Sequence, residues 1–207
     1  MKTLSEWESK RRLAGLPYPK ELLAKSRAEA EKFVAALGKP VVAKASGVAH
    51  KTEGGLVRFN IDGQTVGPAW DELAAAGDGA VLLAEQVKAE LELIVGGYRD
   101  PAFGPLVTIG IGGIAAEIFG DVVAILAPPE AGEVAASLEQ LAGHKLLQGI
   151  RGGPAVDVEA LARVVDGVAK LLLDDEAVAE IDCNPVMVCQ GRPVVVDALV
   201  VLDDGGA

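Results

Sequence analysis

Near the end of this chain two strand-length runs, Val178 to Cys189 and Pro193 to Leu202, flank the short polar stretch Gln190-Gly191-Arg192. The pattern reads as a long β-hairpin, and a long hairpin has a face to bury, so the chain must supply a sheet and its cover. The hairpin also carries oxygen-bearing side chains. Asp182 and Asn184 lie two apart on one strand and therefore share a face. With Gln190-Gly191 as the two-residue turn, Asp197 falls opposite Asn184, and two carboxylates and an amide oxygen meet as a hard-cation site. The competing reading of the same residues is an Asx turn before Pro185 and an ordinary strand-end aspartate.

Upstream, strand-like and helix-like segments alternate. Leu4, Trp7 and Arg11 to Leu13 have helical spacing before Gly15 and Pro17. Ser26 with Glu29 makes a capping box ahead of Ala30, Phe33, Val34 and Leu37, and Gly38 and Pro40 end that helix. Pro40 to Ala45 and Leu56 to Ile61 read as a hairpin with a long glycine-bearing tip. Ala69 to Ala76 suggests a helix, and Ala80 to Val87, Leu91 to Tyr98 and Leu106 to Ile111 suggest strands. Ile114 to Leu126 fits a strand or a short buried helix, and Pro129 to Ala142 and Val158 to Leu173 fit two helices with acidic first turns. The expected class is a compact mixed α/β or α+β architecture in 207 residues, one globular unit or two associated subdomains.

Composition narrows the function. Half of the residues are hydrophobic, which excludes disorder, and a formal charge of -11 disfavours general nucleic-acid binding, so the partner is a small molecule or a protein. No run reaches the ~18 uncharged apolar residues of a membrane span, and Met1 to Glu8 lacks an apolar signal core. A cytoplasmic protein with no membrane partner is expected. The two cysteines, Cys183 and Cys189, fit neither a zinc half-site nor a redox pair. With only two histidines, His50 and His144, any metal must be held mainly by oxygen, which points to magnesium.

Lys44 breaks the pattern of its strand, a cation among small apolar residues that needs an anion, whether a nearby carboxylate or a ligand. Downstream, Gly47, Gly54 and Gly55 let backbone N–H groups approach an anion, and His50 and Lys51 add donors, so lysine and loop together make a polyphosphate cradle. His50 is either a solvated loop histidine or a base or nucleophile. His144, at a helix C-terminal boundary, suits the dipole and is given no catalytic role. Glu85 and Glu92, at strand ends, read either as acceptors for a base or sugar or as solvated charges. The run Gly110 to Gly113 is either a close approach to a ligand or a tight turn, and Arg151 is either an anion contact or a solvated loop tip.

Taken in order, Pro40 to Lys44, His50 to Gly55, Glu92 to Gly96, Arg99 to Pro105, Gly110 to Gly113, Gly149 to Gly152 and Glu180 to Pro185 resemble the ATP-grasp domain of nucleoside-diphosphate-forming acyl-CoA synthetases. They are most similar to the β subunit of ADP-forming acetate–CoA ligases. The resemblance implies an ATP-grasp fold over residues 1–207, with subdomains at about 15–85 and 88–207 and the nucleotide between them. It implies that Lys44 binds ATP phosphates, that Glu85, Gln86 and Val87 meet the adenine and that Glu92 holds the ribose. Asn184 and Asp197 match magnesium ligands, with Asp182 adjacent. In such enzymes acyl-CoA and phosphate give an acyl phosphate, a histidine of the CoA-binding partner subunit takes the phosphoryl group, and a loop histidine at the position of His50 passes it to ADP. An imidazole nitrogen can accept and release a phosphoryl group while cations neutralise it. The family pattern has an arginine where this chain has Ile125, which removes a phosphate contact. That change leaves an alternative, a degenerate ATP-grasp module that regulates an acyltransferase without phosphoryl transfer.

Overall fold

The computed structural model describes residues 1–48, 54–113, 120–150 and 152–203. In chain order its elements are β1 (Lys2–Thr3), α1 (Glu6–Arg12), β2 (Glu21–Ala24), α2 (Arg27–Leu37), β3 (Val41–Ala45), β4 (Val57–Ile61), α3 (Val66–Ala76), β5 (Val81–Glu85), β6 (Leu91–Asp100), β7 (Gly104–Ile111), β8 (Val122–Leu126), α4 (Glu133–Leu138), a 3-10 helix (His144–Gln148), α5 (Val158–Asp174), β9 (Val178–Cys189), β10 (Arg192–Val195) and β11 (Leu199–Leu202). They divide into two compact units, Tyr18–Val87 and Met1–Pro17 with Lys88–Ala207. Every strand pair among the described residues is antiparallel, so of the two classes left open by the sequence the fold is α+β.

The Tyr18–Val87 unit holds a sheet of order β2-β5-β3-β4. Val41, Ala43 and Ala45 alternate on β3, Val81 and Leu83 on β5, and this face packs with Ala30 and Val34 of α2 and Leu73 of α3. Lys44 therefore leaves the opposite face, beside Leu82 and Val57 in register. The α2 cap is half of the box expected. The Ser26 hydroxyl accepts the Glu29 N–H at 3.3 Å, but the Glu29 carboxylate accepts from Lys25 N–H, one residue further back. A complete box occurs at Ser5 and Glu8, opening α1.

The larger unit is a sheet of order β1-β11-β9-β6-β7-β8, with β10 also paired to β9. Its cover is α5, whose Leu161, Val164, Val165, Val168, Ala169 and Leu172 form one buried stripe. Burying each of the larger ones contributes roughly 1.5–3 kcal/mol relative to exposure. Glycine lets the helix settle on β6, since a Cβ at Gly97 would stand 2.6 Å from Leu172 and 3.0 Å from Val168. Two expectations change here. The helix expected over 129–142 is only Glu133–Leu138, because the Asp121 carboxylate takes the N–H groups of Ala142 and Gly143, each at 2.8 Å, and holds that stretch in a turn. Of the ambiguous segment 114–126, residues 122–126 are strand β8 and 114–119 lie outside the described residues.

Candidate functional site

The C-terminal hairpin has the register expected of a two-residue turn. Gln190 and Gly191 both have positive φ, 51° and 77°, as a type I′ turn demands, and Arg192 pairs with Cys189. The ladder runs to Val195 and Val186 and resumes in the same register at Leu199 and Asp182. Between the two, residues 183–185 and 196–198 are equal in number, and Val196 N–H donates to the Pro185 carbonyl at 3.2 Å, so Asp197 stays level with Asn184. The Asn184 side chain hydrogen-bonds Asp182, which places the two on one face as their spacing requires. Burial is the main cause that pushes the Asp182 carboxyl above the ordinary aspartate range; the negative charges of Glu180 and Asp197 add to it, and the Asn184 bond opposes it.

A half-buried aspartate that resists ionisation beside a second carboxylate is a donor set a divalent cation relieves, and the residues fit magnesium. Among the described residues no group of three or more His, Cys, Asp or Glu side chains is arranged to hold a metal ion. Two carboxylates and an amide would leave the remaining positions of a cation to water or phosphate, the usual habit of magnesium. Cys183, between Asp182 and Asn184, points the other way into the core, and burial pushes its thiol up to about 12.

Glu92 lies on the same sheet face as Asp182. On β6, Gly96 is opposite Asp182, and Glu92 is four residues away with the same parity, roughly 13 Å along the strand. That separation suits two parts of one elongated ligand. The glycine run beyond β7 is packed on Glu92: Gly112 N–H donates to the Glu92 carbonyl at 2.7 Å, and a Cβ on Gly112 would meet Glu92 backbone carbon at 3.0 Å. Gly113, with φ +69°, lies beside the Glu92 carboxylate. The run is thus packed against Glu92, a support that glycine spacing alone did not reveal.

In the Tyr18–Val87 unit, Lys44 is buried on the helix-free face. Gly54 and Gly55 form an exposed turn just before β4, and Gly55 has φ +64° with open space around it. Glu85 departs from expectation. It is level with Val41, so its side chain has the parity of the helix-bearing face, and its carboxylate pairs with Lys39 at 2.5 Å. Lys44 and the Glu85 carboxylate thus lie on opposite faces, because their strands are in fixed register. The Gln86 amide is also engaged, accepting the Asn60 N–H at 2.7 Å and donating to the Asn60 side chain at 3.1 Å. A base meeting residues 85–87 would therefore find main chain rather than these side chains. His50, Lys51 and Arg151 lie outside the described residues.

Ile125 is opposite Val107, which is opposite Gly97, and the Gly97 face carries α5. Ile125 is accordingly buried on the helix-bearing side, away from Glu92 and Asp182. Isoleucine in place of the family's arginine thus lies on the face opposite Glu92 and Asp182.

Residues 1–202 match the ATP-grasp domain. The chain belongs to the ATP-grasp family. Within it, this ATP-grasp chain is 32% identical over 202 residues to the beta subunit of ADP-forming acetate–CoA ligase I of Pyrococcus furiosus, covering 92% of this chain and 87% of that subunit. It is 33% identical to the beta subunit of ligase II of the same organism, covering 95% and 90%. ADP-forming 4-hydroxybutyrate–CoA ligase of Nitrosopumilus maritimus is 35% identical over 187 residues, 85% of this chain and 27% of that enzyme, so the chain spans about a quarter of that relative's length. Among solved structures, acetyl-coenzyme A synthetase 1 of Ca. Korarchaeum cryptofilum, in complex with coenzyme A and Ca-AMPCP, superposes with a TM-score of 0.89 at 34% identity, over 98% of this chain and 94% of that one. The same enzyme with Mg-AMPPCP, its phosphohistidine segment pointing towards the nucleotide binding site, gives 0.85 at 33% identity, over 98% and 93%. No helix among the described residues is long and apolar enough to cross a membrane.

Proposed function

We propose that this chain is the nucleotide-binding subunit of a cytoplasmic ADP-forming acyl-CoA synthetase, which turns acyl-CoA, ADP and phosphate into carboxylate, coenzyme A and ATP together with a CoA-binding partner subunit. The observation that carries this reading is the Asp182, Asn184 and Asp197 cluster, whose oxygens suit the magnesium of a magnesium–nucleotide complex. Asp182, Asn184 and Asp197 would hold the metal, which supplies charge neutralisation on the phosphates. Lys44 binds phosphate oxygens, with Lys51, Gly54, Gly55 and Arg151 completing the anion contacts, and Glu92 accepts from the ribose hydroxyls. The main chain of residues 85–87 meets the adenine.

The partner's substrate site forms an acyl phosphate and coenzyme A, and the phosphoryl group passes to a partner histidine with release of the carboxylate. His50 then accepts it, breaking the partner's P–N bond and forming its own, and gives it to the terminal oxygen of ADP, which restores the free imidazole.

Calorimetry with ADP and Mg2+ tests the binding half. Losing a charge-assisted contact costs about 1.5–3 kcal/mol, so Lys44→Ala weakens ADP binding roughly tenfold to a hundredfold. Unchanged affinity removes Lys44 from the site. With the cognate partner, acyl-CoA and phosphate, His50→Ala keeps ADP affinity and loses ATP formation. Full synthetase activity in that variant would refute the shuttle.

A further inference from the structure

The first helix is built on charges that it hides. Glu6 and Lys10, one turn apart on α1, form an ion pair of 2.9 Å with both side chains only 2% exposed. Lys10 Nζ also donates to the Val196 carbonyl at 3.1 Å. The neighbouring Ser9, fully buried, accepts the Val200 N–H on its hydroxyl at 3.0 Å, and Leu4 N–H donates to the Val200 carbonyl at 3.0 Å. These bonds grip the chain on both sides of Asp197, the middle residue of the 196–198 stretch between β10 and β11. The Lys10 charge is also felt at Cys183, the residue between Asp182 and Asn184.

A buried ion pair is a weak source of stability, because desolvating two charges offsets most of their attraction and an apolar pair of similar volume does as well. What such a pair does supply is direction. The ammonium bonds one carbonyl at a defined place, and here that carbonyl precedes Asp197.

We infer that Lys10 is a positioning residue for the cation site: by holding the Val196 carbonyl it sets how Asp197 leaves the break between β10 and β11, level with Asn184. The inference rests on the proposed reading that Asp182, Asn184 and Asp197 take the divalent cation. Glu6 keeps Lys10 aimed, and Ser9 fixes where β11 resumes. Outside the reacting groups, residues that orient metal ligands typically govern ten- to a hundredfold in metal affinity.

The test is Mn2+ binding to the full chain with saturating ADP, followed by electron paramagnetic resonance, in wild type, Lys10→Met, Asp197→Asn and the double variant. Lys10→Met and Asp197→Asn are each expected to weaken Mn2+ binding about tenfold to a hundredfold, with metal-free ADP affinity unchanged in Lys10→Met. Because Lys10 acts through Asp197, the double variant should bind Mn2+ no more weakly than Asp197→Asn alone. Full Mn2+ affinity in folded Lys10→Met beside a weakened Asp197→Asn overturns the inference and leaves the cation site standing, as does additive loss in the double variant. Full affinity in Asp197→Asn overturns the cation site itself. If Lys10→Met does not fold, Lys10→Gln, which is polar but too short to reach Val196, is read the same way. Failure of both to fold shows a purely structural ion pair and also overturns the inference.

Discussion

Gly97→Ala tests the packing that holds the site-bearing sheet in place. The added Cβ would stand 2.6 Å from a Leu172 methyl, 3.0 Å from Val168 Cγ1 and 3.1 Å from the Leu106 carbonyl oxygen. Carbon atoms rest at about 3.5–4.0 Å, so the closest overlap approaches ~1 Å. Leu172 and Val168 are fully buried and have nowhere to swing, and Leu106 presents backbone. Overfilling a packed core costs roughly 1–3 kcal/mol, of which replacing a strand glycine returns about 0.5–1 kcal/mol in backbone entropy. With three overlaps at once the cost falls in the upper half of that range, about 2–3 kcal/mol, and the net loss of about 1–2.5 kcal/mol lowers the Tm of a chain of this size by about 2–10 °C. Differential scanning calorimetry reads this directly, with Gly63→Ala, where nothing lies within 4 Å of the new Cβ, as the neutral control. If Gly97→Ala melts as high as wild type and the control, α5 does not seat on β6 through this contact, and the assignment of Glu92 and Asp182 to the helix-free face loses its basis.

Gly191→Ala puts a Cβ at φ +77° and 2.5 Å from the Ala155 carbonyl oxygen; urea unfolding should register a loss of about 1–3 kcal/mol, and an unchanged midpoint would count against the turn. Cys183, its thiol pushed up to about 12, should resist dithionitrobenzoate at pH 8 in the native chain, while the less buried Cys189 reacts first; equal rates would contradict the buried position. Asp182 binds its proton more tightly folded than unfolded, so its contribution to stability is present at acid pH and lost as pH rises from the ordinary carboxylate range through its raised value. Asp182→Asn should therefore be more stable than wild type at neutral pH without divalent cations, and the difference should vanish at the acid end; a less stable variant at neutral pH refutes the assigned strain.

The hairpin was legible because its rules are local. A two-residue turn sets register, period two sets the face, and both operate within the span from Asp182 to Asp197, so the register that puts Asp197 level with Asn184 could be worked out on paper. The stripe of α5 was legible for the same kind of reason, its buried residues recurring at helical spacing. Competing partners escaped. The overlong helix at 129–142 was cut short by Asp121, and the Glu29 carboxylate of the expected capping box went to Lys25. The face of Glu85 was not legible either, since a strand end by itself does not say which side will meet the helices.

By itself the sequence determined most of the elements, the turn register and a family pattern strong enough to name candidate residues from Lys44 to Asp197. The tertiary structure alone decided which of those side chains share a face, that Ile125 lies behind the sheet, and that Glu6 and Lys10, an i,i+4 pair of the kind usually found in water, are sealed against a chain segment 186 residues away. The division follows from range. Backbone dihedrals and hydrophobic period act over a few residues and are written in the local sequence, whereas burial depends on which surface arrives from elsewhere in the chain.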